Sequence, residues 1–337
     1  MATVNSMRLN VIDTHTEGMP TRIVLDGLPT FAGTTVSDRM ASFVRDHESL
    51  RRLLTWEPRG APTSYAALLV PPDHPEAHVG VFFAERNGVL PGCGHGTIGA
   101  VRALIDAGLV TPQGNLADVV LQTPSGLVRA HAQLDHGDWW VTLRNVPAYL
   151  HRHDLTVAVP GHGTVAVDVA FGGNFYAIVP AADLGLSLDV DNAAELARVG
   201  LAVMHAVDDI DLPVHPVDPA LRGCLHTLFT APGADGVDSA GTVIIYTGVV
   251  DRSPCGTGTS ARMAQLHARG QLALNQDFVH SSLIGSRFIG RLVEQTTIGE
   301  RSAVVPTIRG RAWITGRGEV TLEASDPFQG GFVVADR

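Results

Sequence analysis

The sequence predicts a mixed α/β (α+β) chain of two similar halves, mostly β, with one helix following a cysteine in each half. Three observations predict it. Residues 90–110, LPGCGHGTIGAVRALIDAGLV, recur in pattern at 252–272, RSPCGTGTSARMAQLHARGQL. At an offset of 162 residues Cys93 falls on Cys255, Gly94 on Gly256, Gly96 on Gly258, Thr97 on Thr259, Leu104 on Leu266 and Gly108 on Gly270. Around both copies, short apolar runs bounded by turn residues read as strands. Within the first copy, Ile98, Val101, Leu104 and Ile105 keep helical spacing, and Gly108 and Gly270 stand where left-handed C-caps belong.

In chain order, residues 8–13 and 21–25 read as strands around the turn-rich THTEGMPT. His15 and Glu17 lie in that turn and read as solvated polar residues. Residues 36–54 carry helical spacing (Met40, Phe43, Leu50, Leu53, Leu54), and WEPRG at 56–60 is a turn. Tyr65–Val70 and Val79–Ala84 are strands, and the loop 85–92 leads to Cys93. After the first helix come strands at 118–123, 126–134 and 139–143. The His- and Pro-containing stretch 146–163 marks the expected domain boundary. Residues 167–179 give strand, Gly-Gly turn and strand. Residues 191–206 form a surface helix with Leu196, Val199 and Val203 on one face. Strands follow near 225–230 and 242–248, then the second cysteine motif, and the tail from 303 reads as short strands.

Composition narrows the function. With 337 residues and 45% apolar content the chain has room for one large or two ordinary globular domains. A net charge of −10 argues against nucleic acid and anionic membrane surfaces. No apolar run reaches membrane-spanning length, the start MATVNSMRLN lacks a signal-peptide core, and three cysteines suit a reducing compartment; the expected location is the cytoplasm. There is no lysine, so all 24 basic residues are Arg. That excludes a Schiff-base lysine for pyridoxal phosphate and the lysine of a phosphate-cradling loop. A dinucleotide fold is not expected.

The matched cysteines carry the chemistry. Each sits at or before a helix N-terminus, beside unpaired N–H groups and the positive end of the helix dipole, a setting expected to lower a thiol pKa. One such cysteine reads best as a small buried hydrophobe. A duplicated fold explains the shared glycines, but not a matched pair of thiols. If the halves face each other across a cleft, one thiolate removes a proton from a carbon acid while the other thiol delivers one to the opposite face. The helix N-termini bind the carboxylate and stabilise the charge that develops on it. No cofactor and no metal are needed. His95 can hydrogen-bond Cys93 or the substrate, and Asp251 can hold a substrate ammonium. A competing metal constellation, Cys93-x-His95 and Cys224-x-His226 with His215 upstream, lacks the usual zinc spacings, and Cys224 reads as a buried small residue. A single-cysteine hydrolase with a Cys–His pair leaves the second motif unexplained.

CGHGTIG and DRSPCGTGT closely resemble the two signatures of the proline racemase family, which includes 4-hydroxyproline 2-epimerases and trans-3-hydroxyproline dehydratases. The resemblance extends over nearly the whole chain, through DTHTEGMPTRIV, FGGNFYAIV, SLIGSRF, IRGRAWITG and DPFQGGF. It implies the diaminopimelate-epimerase-like fold: two similar domains, each a β-barrel-like sheet wrapped on a central helix, with the active site in the cleft between them. The expected domains are 1–150, joined by C-terminal strands from about 315–337, and 151–314. It also implies a cofactor-independent two-thiol mechanism, a small-molecule substrate (proline or hydroxyproline) and a homodimer. Cys93 and Cys255 match the catalytic bases, His95 and Asp251 the positions that contact the substrate amine, and Gly94, Gly256, Thr257 and Gly258 the carboxylate cradle. The dehydratase branch typically carries Thr at the second cysteine, so Cys255 favours inversion over elimination. Gly92 stands where Met is common and PRGA at 58–61 where PRGH is common in some branches, which leaves substrate choice within the family open. The expected reaction is inversion at Cα of 4-hydroxyproline or proline, with Ser64, Tyr65 and Asn87 as candidates for pairing a ring hydroxyl. The alternatives are a hydroxyproline dehydratase and a non-catalytic amino-acid-binding protein.

Overall fold

Tyr65–Val70 (YAALLV) and Val79–Glu85 (VGVFFAE) have no polar face, and a strand without one must be covered on both sides. The structure, a computed structural model describing residues 7–219 and 221–334, covers them in this way. The chain divides into two units, Met1–Leu143 with Arg311–Arg337, and Arg144–Gly310.

The first unit carries β1 (Met7–Thr16), β2 (Met19–Asp26), α1 (Val36–Asp46), α2 (Glu48–Thr55), β3 (Tyr65–Val70), β4 (Val79–Glu85), β5 (Gly88–Leu90), α3 (Gly94–Asp106), β6 (Leu116–Thr123), β7 (Gly126–Asp135) and β8 (Asp138–Arg144, which ends one residue past the unit). The second carries β9 (Tyr149–Val159), β10 (Gly163–Phe171), β11 (Phe175–Pro180), α4 (Ala193–Asp211), β12 (Cys224–Pro232), β13 (Ser239–Ile245), α5 (Gly256–Ala268), β14 (Asp277–Ser281) and β15 (Arg287–Ile298). The last strand, β16 (Arg301–Leu322), begins in the second unit, where it pairs with β15, and ends in the first, where it pairs with β1.

The two units repeat one topology. In the first, the order is β1-β2-β3-β4-β6-β7-β8, with β2/β3 and β4/β6 parallel and their neighbours antiparallel. In the second, β10-β11-β12-β13-β14-β15 runs with β11/β12 and β13/β14 parallel. Parallel neighbours need a crossover. One crossover in each unit is the helix that follows the cysteine, α3 or α5. The other is α1–α2 in the first unit and α4 in the second.

Helix α3 packs against β1, β2, β3 and β7, and α5 against β9, β10, β11 and β15. Strands from both ends of each sheet therefore meet the helix, and Ile98, Ala100, Val101 and Ala103 are wholly inaccessible. The other sheet face is covered by α1 and α2, whose Phe43, Leu50, Leu53 and Leu54 join Leu68 and Phe82 in one core. In the second unit Leu196, Val199 and Val203 of α4 pack with Phe175, Val179 and Phe229.

Several elements differ from the sequence reading. The single helix expected over 36–54 breaks at His47 (φ −127°), whose N–H closes the first helix on the Phe43 carbonyl and which also caps the start of the second. The stretch 146–163 carries the eleven-residue strand β9, whose second half, LTVAV, buries Val157 and Val159. The tail is one 22-residue strand rather than several short ones, and β15 lies ahead of it. Among the described residues no helix is long and apolar enough to cross a membrane.

A buried carboxylate ties α5 to its sheet. Asp168 on β10 accepts from Arg269 Nε (2.8 Å) and Nη2 (2.7 Å), from Gln265 Nε2 (2.5 Å) and from the Asp154 N–H (2.9 Å). Burial pushes its pKa up, but these hydrogen bonds outweigh burial and hold it below the ordinary carboxylate value. Arg269→Met leaves that charge short of its main partner. Stability should fall by about 2–3 kcal/mol, less than for a wholly buried pair because water reaches Arg269, as read from urea denaturation at pH 7.

Candidate active site

The two copies of the cysteine motif build the same helix start. Cys93 and Cys255 are the N-caps of α3 and α5. Thr97 N donates to the Cys93 carbonyl (2.9 Å), and Thr259 N donates to the Cys255 carbonyl (2.8 Å). Both helices also end alike. Gly108 (φ 70°) and Gly270 (φ 71°) are left-handed, and the next residues return a hydrogen bond to Leu104 and Leu266.

The glycine three residues after each cysteine is required by close approach. A methyl group on Gly96 would stand 2.7 Å from the Phe83 ring and 3.2 Å from Cys93 Sγ. On Gly258 it would stand 3.0 Å from Val243 Cγ2 and 3.3 Å from Cys255 Sγ. Each sulfur therefore lies over the first turn of its helix, walled by a strand.

The backbone at the two cysteines is not alike. Cys93 is extended (φ −153°, ψ 118°), whereas Cys255 holds φ 62°, ψ 114°. A side chain rarely adopts that conformation, and holding it costs on the order of 1–3 kcal/mol, which the surrounding contacts must offset.

In the first unit, His95 is buried with Nδ1 3.4 Å from Cys93 Sγ. The edge of Tyr65 meets its ring at 4.6 Å, and Thr16 Oγ1 donates to its carbonyl (2.8 Å). Burial pushes its pKa down to about 4, so the ring is neutral at neutral pH. Gly94 opens the helix, so its N–H has no intrahelical partner.

In the second unit, the residue that corresponds to His95 is Thr257, whose Oγ1 lies 3.7 Å from Cys255 Sγ. Tyr176 on β11 joins them. Its hydroxyl lies 2.6 Å from Thr257 Oγ1 and 3.3 Å from Cys255 Sγ. The Tyr176 ring stacks at 4.7 Å on His226, its registered neighbour on β12. The sequence reading missed Tyr176. Its only signal was one hydroxyl in the otherwise apolar strand FYAIV.

Asp251 is buried, and its Oδ1 accepts from the Ser253 N–H (2.8 Å) and hydroxyl (2.9 Å). Ser253 Oγ in turn accepts from the Cys255 N–H (3.2 Å). Burial pushes the Asp251 carboxyl up to about 6. Burial, then the Asp251 charge, pushes the Cys255 thiol up to about 12, against hydrogen bonds from Tyr176, the Gly258 N–H and Thr257. The expectation that a helix N-terminus lowers this pKa is therefore corrected. Desolvation and a neighbouring carboxylate outweigh the helix dipole, and Cys255 is a thiol at neutral pH.

The remaining candidates separate. Cys224 is buried in the core, as expected, with Sγ 3.4 Å from the His226 carbonyl. His215 Nδ1 accepts from the backbone of Asp218. No group of three or more His, Cys, Asp or Glu side chains is placed to hold a metal ion among the described residues. Glu17 is not solvated as expected. It is buried with φ 45° and pairs with Arg311, while His15 stacks on Trp313. Ser64 Oγ accepts from the Ala61 N–H, and Asn87 is exposed in the β4–β5 turn. A side chain at Gly92 would project into open space.

The proline racemase family model matches residues 11–333. The chain belongs to the proline racemase family. It is thereby an amino-acid isomerase of the racemase and epimerase class. It is 48% identical over 326 residues to the 4-hydroxyproline 2-epimerase of Streptosporangium roseum, covering 96% of this chain and 98% of that one. It is 36% identical to the proline racemase of Clostridioides difficile, covering 98% and 99%. A hydroxyproline epimerase from Agrobacterium vitis, solved with bound trans-4-hydroxy-L-proline, superposes with a TM-score of 0.88 at 36% identity, covering 98% of this chain and 96% of that one.

The raised Asp251 pKa makes a signed prediction. The folded value of about 6 lies above the ordinary 3.8, so the folded state holds the proton more tightly. The associated stability is full below the unfolded pKa and is lost as pH rises through about 6. Asp251→Asn keeps an acceptor for Ser253 and removes the charge. Relative to the wild type, its stability in urea should rise by about 2 kcal/mol between pH 4 and pH 8. A pH-independent difference would mean that Asp251 is not a buried charge.

Proposed function

We propose that this protein inverts Cα of 4-hydroxyproline, converting trans-4-hydroxy-L-proline to cis-4-hydroxy-D-proline without a cofactor, with Cys93 and Cys255 as the two acid/base groups. The observation that carries this reading is the matched pair of cysteines in a chain closer in sequence to a 4-hydroxyproline 2-epimerase (48%) than to a proline racemase (36%). The structure with bound trans-4-hydroxy-L-proline is that of a relative and supports the same substrate class. A net charge of −10 favours a small zwitterion over nucleic acid or an anionic membrane.

The local chemistry suits the role. One sulfur takes the Cα proton while the other, as thiol, gives one to the opposite face. The first-turn N–H groups of Gly94, Gly256, Thr257 and Gly258 can donate to the carboxylate and stabilise the charge that moves onto it. Asp251, ionised above about pH 6, suits the substrate ammonium. Neutral His95 offers a ring nitrogen as acceptor to the same group. A cation beside Asp251 cancels one of the two effects that raise Cys255, so binding eases its ionisation.

Incubation with trans-4-hydroxy-L-proline should give the cis-D epimer on chiral chromatography. In heavy water the early product should carry deuterium at Cα. Formation of a pyrroline carboxylate, or turnover of proline alone, would overturn the assignment.

The two thiols should behave as a unit. Cys93→Ala and Cys255→Ala should each lower inversion by about 10²–10⁴-fold, and the double variant should be little worse than either. Calorimetric titration with pyrrole-2-carboxylate, a planar carbanion mimic, should still show binding to both single variants. Substantial inversion by either one would refute the two-base mechanism.

A further inference from the structure

A residue that alternates between acid and base needs a setting that tolerates both of its protonation states. Around Cys255 Sγ stand the Asp251 carboxylate, Val243 of β13, the Gly258 N–H and the Tyr176–Thr257 pair of hydroxyls. A carboxylate favours the thiol and an N–H favours the thiolate, and neither can change sides. A hydroxyl can, because it carries one hydrogen and two lone pairs.

We propose that Tyr176 and Thr257 form a two-hydroxyl chain whose hydrogen-bond direction reverses with the protonation state of Cys255, stabilising thiol and thiolate in turn. With a thiolate, Thr257 donates to Tyr176 (2.6 Å) and Tyr176 donates to Sγ (3.3 Å). With a thiol, Sγ no longer needs a donor: its S–H is shared between the Asp251 carboxylate and the Tyr176 oxygen, and Tyr176 donates to Thr257. Heavy atoms stay in place while the hydroxyl hydrogens rotate. The proton balance is closed: the proton lost by Cα bonds to Sγ, the proton given to Cα comes from Sγ, and neither hydroxyl ionises. Two further facts fit this role. Tyr176 is fully buried and its ring is fixed by the His226 stack, so its hydroxyl cannot swing away. Burial, with the charges of Cys255 and Asp251, also holds its pKa well above the ordinary value, so it remains a neutral donor and acceptor. Cys93 has a ring nitrogen of His95 at the corresponding place, so the repeat serves its two sulfurs with different groups.

The alternation of Cys255 between acid and base rests on the epimerase reading, but the hydroxyl chain can be tested without substrate. Each cysteine is trapped with methyl methanethiosulfonate at pH 8 and followed by peptide mass spectrometry, with Cys93 as internal reference. Tyr176→Phe keeps the stacked ring and removes the hydroxyl. It should slow trapping of Cys255 about tenfold, as expected for losing a donor to a charged acceptor, and leave Cys93 unchanged. Thr257→Val should slow Cys255 less, and Thr257→Ser should restore the wild-type rate. In epimerisation assays Tyr176→Phe should lower kcat with little change in KM. Trapping of Cys255 at the wild-type rate in Tyr176→Phe would overturn the proposal. If that variant does not fold, equal Cys255 rates in Thr257→Val and Thr257→Ser would do so. If trapping shifts as expected while the wild type leaves hydroxyproline unchanged, the epimerase reading falls and the hydroxyl chain stands.

Discussion

A sulfur held over the first turn of a buried helix leaves little room around it, and the rest of the structure follows from that. The third residue after each cysteine can carry only hydrogen, because Phe83 or Val243 closes the space beyond. The helix must be wrapped by strands to be buried, and strands that wrap a buried helix and carry further helices outside have no polar face. YAALLV and VGVFFAE are the sequence consequence. Both helices stop in the same left-handed glycine turn, so each motif is a complete unit from N-cap to C-cap.

Burial also sets the electrostatics. A helix N-terminus is worth about 0.3–2 kcal/mol to a nearby anion, whereas desolvating a charge costs several kcal/mol. At Cys255 the second effect wins, reinforced by Asp251, and the resting group is a thiol. Asp251 meets the same burial and keeps its charge near neutrality through Ser253, which also accepts the Cys255 N–H. One serine thus links the backbone of the thiol to the carboxylate that perturbs it. Asp168 shows the opposite balance. It too is buried, but a guanidinium and an amide supply enough hydrogen bonds to bring its pKa down.

The internal repeat is a repeat of topology and of glycine placement, not of detail. Cys93 is extended and Cys255 left-handed. His95 is packed by the edge of Tyr65, whereas Thr257 is bonded by Tyr176, a residue from a different strand of the repeat. Two sulfurs in like positions along their helices therefore meet unlike partners.

The sequence by itself determined the cysteine motifs, their helices and caps, the strands at 65–70 and 79–84 and the family, because each is local: spacing, glycine and apolar periodicity are written along the chain. It also marked His95, Asp251 and Thr257, which lie within four residues of a cysteine. Several features came only with the tertiary structure. Tyr176 lies 79 residues from Cys255, and strand pairing brings them together. Glu17 is buried, and it pairs with Arg311, 294 residues on. The break at His47 and the unbroken β16 depend on what each segment packs against. The protonation of Cys255 was misread for the same reason. The helix N-terminus is visible in sequence, but the desolvation and the carboxylate that outweigh it exist only once the chain has folded around the sulfur.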